Sequence, residues 1–138
     1  MSNVLASMTR APPPGFAPLA TRSPFVSRAG EFFIRQEEDG SQSVGTWVGQ
    51  DQANSEGFVH GGFLLTFADF AMTTVTTGIT LTLSADFLRP ARIGDWIQAT
   101  IVVRKASDTL VFADAITTCD DRALMRISGL FRPFKKRT

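Results

Sequence analysis

Gly62-Phe63-Leu64-Leu65-Thr66-Phe67-Ala68-Asp69-Phe70-Ala71-Met72-Thr73-Thr74-Val75-Thr76-Thr77 has helical length, and Gly78 follows as a candidate C-cap. An ordinary surface helix carries charge on its outer face, but from Val59 to Ala85 only His60 and Asp69 are ionisable. Apolar residues occupy nearly every side. The exception is a stripe of Thr66, Asp69, Thr73 and Thr76, whose spacings of three, four and three place them on one face. Threonine is a mediocre helix former, so propensity does not explain this stripe. The segment therefore reads as a helix buried on most sides, with a narrow polar seam holding one carboxylate. An isolated carboxylate in such a seam is costly to bury and marks a candidate functional site. The alternative, a short solvated patch, would more naturally use Glu, Lys or Gln.

Working outward, strands are expected at residues 32–36 and 43–49, joined by the turn-rich Glu37-Glu38-Asp39-Gly40 and followed by a polar loop over residues 50–57. After the helix come four more strand-like segments. In residues 79–89, Ile79, Leu81, Leu83, Ala85 and Phe87 alternate with Thr80, Thr82, Ser84 and Asp86. Residues 95–105, 109–118 and 123–131 complete a meander with turns at Ser107-Asp108 and Asp120-Asp121. The order implies an α+β fold: an antiparallel sheet that buries its single long central helix by curling around it. Residues 1–29, with prolines at 12, 13, 14, 18 and 24, read as an irregular N-terminal arm; residues 30–134 form the domain, and the basic residues 135–138 a solvated tail.

The chain of 138 residues suits one domain, and a net charge of +1 argues against a nucleic-acid binder. No apolar run is long enough to span a membrane. The single cysteine, Cys119, excludes an internal disulfide and a cysteine-based metal cluster, and its strand-like setting suggests a buried structural thiol. A cytoplasmic location is expected. The first thirty residues lack acids and carry Arg10, Arg22 and Arg28, so organellar targeting by the arm stays open.

Just before the helix stands Asn54-Ser55-Glu56-Gly57-Phe58-Val59-His60-Gly61-Gly62. Two glycines at a helix start allow close backbone approach and aim free N–H groups at a ligand, where the helix dipole favours a developing oxyanion. Asn54 can donate through its side-chain amide. Asn54, the Gly57-x-Val59-His60-Gly61-Gly62 run and Asp69 at this spacing resemble the hotdog-fold thioesterases of the 4-hydroxybenzoyl-CoA superfamily, in the branch typified by phenylacetate-pathway enzymes. Asp86-Phe87-Leu88-Arg89-Pro90-Ala91 and Gly94-Asp95 extend the resemblance, which covers about residues 30–133.

The resemblance implies an acyl-CoA thioesterase. Asn54 and the Gly61 amide would polarise the thioester carbonyl, and Asp69 would act as general base on water or as nucleophile. Thr80 would position the water or the carboxylate. It also implies a site shared between two subunits, hence a homodimer or a dimer of dimers. No metal or separate cofactor is expected; coenzyme A enters as part of the substrate. His60, the only histidine, is expected to orient the loop, and with Gly62 to border the substrate. Arg89 and Arg92 are candidate partners for the coenzyme A phosphates, as are Arg104, Lys105 and the basic tail.

Two other classes compete. A hotdog dehydratase would pair its histidine with a carboxylate in a different local motif, which is absent here. A non-catalytic acyl-CoA binder would need no turnover, though every expected polar residue is present. Twelve Phe, two Trp and no Tyr leave no phenol to recognise a hydroxylated acyl group, which favours an apolar aryl or medium-chain substrate.

Overall fold

A computed structural model describes residues 10–134. The elements run β1 (Ala17–Leu19), α1 (Pro24–Ala29), β2 (Phe32–Gln36), β3 (Gln42–Trp47), a 3-10 turn (Gln50–Gln52), α2 (Gly61–Thr76), β4 (Gly78–Phe87), β5 (Trp96–Ala106), β6 (Val111–Cys119) and β7 (Arg122–Pro133). All seven strands form one sheet in the order β1-β2-β3-β5-β6-β7-β4. Every pairing is antiparallel. The sheet curls around α2, as expected for an apolar helix with one sheet to cover it. Phe67, Ala68, Ala71 and Met72 are fully buried against Val44, Ile97, Ile101, Met125 and Phe131. Cys119 lies in this core at the end of β6, and burial pushes its thiol up to about 11, keeping it protonated at neutral pH.

Four details depart from the sequence reading. The arm is not irregular in its described part. Its β1 pairs with β2, and Phe16 is buried with its ring edge-on to Trp96 at 5.0 Å. Arg10 stacks 3.4 Å over Trp47, whose Nε1 donates to the Ala11 carbonyl. The arm thereby covers an aromatic patch on the outer sheet face, and burying that patch offsets the entropy of ordering the segment. Ser23 caps α1 by accepting from the Val26 N–H, Pro24 stands in its first turn, and Gln52 Nε2 holds its end through the Ala29 carbonyl at 2.7 Å.

The second departure is the end of α2. Thr77, not Gly78, takes the left-handed cap at φ 49°, ψ 49°. Gly78 instead serves a close approach: a Cβ there would lie 2.7 Å from the Arg132 carbonyl oxygen.

Third, the alternation of β4 breaks. A bulge between Thr80 and Thr82 places Thr80 opposite the buried Phe131, on the helix side, together with Leu83 opposite Gly129. Leu83 and Ala85 pack on the core, whereas Ile79 is half exposed. A strict period of two would have put Ile79 and Leu83 on one face.

Fourth, the last strand runs past its expected end at residue 131. Arg132 and Pro133 belong to β7, held by pairing with Ile79 and Gly78. Residues 135–138 lie outside the described residues.

Candidate functional site

The loop from Asn54 to Gly62 is stitched from several directions. Asn54 Oδ1 accepts from the Glu56 N–H at 2.9 Å and the Phe58 N–H at 3.1 Å. Two backbone donors on one atom identify it as the amide oxygen, which leaves the exposed Nδ2 to donate outward. The Asn54 N–H bonds the Phe58 carbonyl, and Gly57 turns the chain at φ +84°. Val59 is buried and donates to the Ala91 carbonyl at 2.8 Å, and the His60 N–H donates to the Gln52 carbonyl at 2.8 Å. Val59 thus plugs the loop into the core. Its tie to Ala91 is a long-range contact that no local spacing signals.

His60 is the N-cap of α2, and its Nδ1 accepts from the Gly62 N–H at 2.8 Å. Accepting at Nδ1 requires the proton of a neutral ring to sit on Nε2. The Gly62 amide is therefore committed to the cap. Gly61 is the first helical residue, where the N–H has no intrahelical acceptor. A side chain built on Gly61 would meet the ring of the half-exposed Phe87 at 3.5 Å.

Farther along α2, the half-buried Asp69 accepts a short hydrogen bond from Thr80 Oγ1. Two elements bring this pair together: the helix face presents the carboxylate, and the β4 bulge turns Thr80 inward. Thr66 and Thr73 lie half-buried in the same seam and bond their own helix, Thr66 to the Gly62 carbonyl and Thr73 to the Phe70 carbonyl. Thr76 departs from the open seam: it is buried and donates to the Met72 carbonyl at 2.8 Å.

The predicted site residues therefore fall into two groups within one chain. Asn54, His60, Gly61 and Gly62 gather at the start of α2, and Asp69 meets Thr80. Asp69 follows Gly61 by eight residues, about 12 Å along a helix axis. The loop donors and the carboxylate therefore stand about two turns apart on the same helix.

The candidate basic residues are also dispersed. Arg92 sits beside the loop: its guanidinium lies 5.0 Å from the Phe58 ring, and Arg92 and Phe58 form an isolated bridge. Arg89 is exposed and donates to the Ala123 carbonyl at 3.3 Å. Arg104 is engaged by Asp114 at 2.8 Å, which lowers the Asp114 pKa below the usual carboxylate range, with a hydrogen bond from Ser128 adding to the effect.

Comparison with known proteins adds to this geometry. The family model described as the thioesterase superfamily matches residues 56–125. A Pseudomonas aeruginosa protein named "Putative esterase" is 32% identical over 127 residues, covering 86% of this chain and 95% of its own. Among solved structures, a Streptococcus pneumoniae hypothetical thioesterase with coenzyme A superposes with a TM-score of 0.71 at 23% identity, covering 78% of this chain and 88% of its own. The Escherichia coli PaaI protein from the phenylacetic acid degradation operon gives 0.72 at 22% identity, covering 83% and 86%. The curled sheet around one helix is the hotdog fold of these structures, and the family match spans the Gly57–Gly62 loop, the seam and β4 through β6. The chain belongs to the thioesterase superfamily and is a hotdog-fold thioester hydrolase.

Proposed function

We propose that this protein hydrolyses acyl-CoA thioesters at a site shared between two copies of the chain. The observation that carries this reading is the separation of the two groups on one helix, by about 12 Å. One copy supplies Asn54 Nδ2 and the Gly61 N–H, which together polarise the thioester carbonyl and stabilise the oxyanion that forms on it. The other supplies Asp69. As a general base it takes a proton from water as the water oxygen attacks the carbonyl carbon. The tetrahedral intermediate then collapses, expelling the coenzyme A thiolate and leaving the free acid. Attack by the Asp69 carboxylate itself, through an anhydride that water later opens, is the second route to the same products. Thr80 holds the carboxylate in either case.

The sheet edge supports the pairing. β4 ends the strand order, so one edge of it has no strand partner among the described residues, and Ile79, Leu81 and Phe87 are substantially exposed along it. An unpaired apolar edge is a template for strand addition. Two β4 strands joined antiparallel around a two-fold axis would run the two helices in opposite directions. The start of each would then meet the middle of the other. Arg92, beside the loop, is the basic residue best placed for the coenzyme A phosphates.

The test is complementation. Asp69→Ala and Asn54→Ala homodimers should each be nearly inactive in thiol release. Unfolded and refolded together in equal amounts, half of the dimers are hybrids with one intact site, so about a quarter of wild-type activity should return. No recovery from stable mixed dimers would place both groups in the same chain and sink the shared site. Undiminished turnover by Asp69→Ala would remove the carboxylate from the chemistry.

A further inference from the structure

The arm helix α1 borders a cleft of about 700 Å³ against the first turns of α2. That volume falls in the range of small-molecule sites. Its walls include Phe25 and Ala29 from α1, Ala53 from the loop, and His60, Phe63 and Thr66 around the helix start. Phe25 is 69% exposed, although Val26 and Ala29 of the same short helix pack on the core. A large apolar side chain left at the rim of an apolar cleft, on a helix otherwise docked, is an unexplained feature of the fold.

The position of the cleft gives it a use. Ala53 and His60 are direct chain neighbours of Asn54 and Gly61, so the cleft begins beside the oxyanion donors. Along α2, Gly62, Thr66 and Asp69 follow at helical spacing on one face. Phe63 widens this surface toward α1, whereas Phe87 lies on the other side of the helix start, against Gly61. A carbonyl held by Asn54 and Gly61 can therefore send its substituent along α2 under α1. The lining is apolar apart from the His60 ring, the Thr66 hydroxyl, which bonds its own helix, and the charges Arg28 and Asp51. Those two charges also border a neighbouring cleft of about 410 Å³, which places them at the divide between the two.

We infer that this cleft receives the acyl group, and that Phe25 of the N-terminal arm is a specificity-determining residue selecting apolar acyl chains by length. The inference rests on the thioesterase reading for the location of the carbonyl. It assigns the arm a part in the site that the loop and seam residues do not provide. A short acyl group stays beside the loop, and a longer one runs under Phe25 and gains its contact.

The experiment compares kcat/KM across straight-chain acyl-CoAs from acetyl to palmitoyl for wild type, Phe25→Ala, Phe25→Trp and Phe87→Ala. Phe25→Ala should lower the preference for long over short acyl chains by about tenfold, chiefly through KM for the long ones. Phe25→Trp should move the preferred length in the opposite direction to Phe25→Ala. A uniform change across the series, a preference governed by Phe87, or a loss of dimer in light scattering as the main effect of Phe25→Ala would overturn the assignment. Calorimetric binding of S-alkyl-CoA thioethers, which lack a carbonyl to hydrolyse, provides a readout independent of turnover. Affinity should rise with chain length, and Phe25→Ala should flatten that rise. Turnover that ignores Phe25 would sink this inference alone, whereas thioether binding without turnover would sink the hydrolytic reading and keep the cleft. No thioether binding would sink the cleft.

Discussion

The start of α2 and its middle both present polar groups on one apolar helix, but they are built by opposite means. At the start, backbone does most of the work: an Asx turn, a histidine cap, a positive-φ glycine and ties to Gln52 and Ala91 hold an N–H and an amide in place. In the middle, one carboxylate and one hydroxyl from a bulged strand make the whole arrangement. The first group is preorganised by many small contacts and should tolerate the loss of any one that does not touch substrate. The second depends on two side chains, so each substitution should register directly in rate.

The largest effect is expected at Asn54. Asn54→Ala removes an oxyanion donor and should cost about 2–4 kcal/mol of transition-state stabilisation, seen as a fall of about 30- to 900-fold in kcat/KM for the best acyl-CoA. An unchanged kcat/KM would reduce Asn54 to a loop-holding residue. Next is Thr80→Val, which keeps the shape and deletes the hydroxyl. A hydrogen bond to a charged group contributes about 1.5–3 kcal/mol, so kcat should drop at least about tenfold with KM little altered, and Thr80→Ser should restore it. A variant equally impaired with Ser would point to β4 packing rather than to the hydroxyl.

The smallest effect is expected at His60. His60→Ala removes the N-cap acceptor for the Gly62 N–H and should cost about 1 kcal/mol of stability, lowering Tm by a few degrees. His60→Asn, which can cap in the same way, should recover most of that loss. If His60 were a catalytic base, His60→Asn would instead regain stability while turnover remained abolished, and calorimetry beside thiol release separates the two.

Much of the fold was legible before any coordinates. The near absence of charge from Val59 to Ala85 required a helix buried on most sides, and one helix with six flanking strand segments left a curled antiparallel sheet as the way to bury it. The motif from Asn54 to Asp69 was equally legible, because capping, glycine turns and helical spacing act over a few residues. The misses share a different character. The cap of α2 at Thr77, the continuation of β7 through Pro133 and the bulge in β4 all follow from strand partners distant in sequence. The arm looked irregular because its order comes from Trp47 and Trp96, which it covers, rather than from any period of its own.

Short stretches of sequence are enough to specify the groups available for chemistry: one seam carboxylate, one loop amide and a pair of glycines at a helix start. Periodicity and local hydrogen bonding suffice to place such groups on their elements. How these groups are brought into contact depends on long-range packing. Thr80 reaches Asp69 because a bulge opposite Phe131 rotates the strand, and the rise of α2 keeps Gly61 about 12 Å from the carboxylate. Phe25 stands over the helix start because the arm packs on the aromatic face of the sheet. Those outcomes depend on contacts between residues far apart in the chain, which no short window of sequence contains.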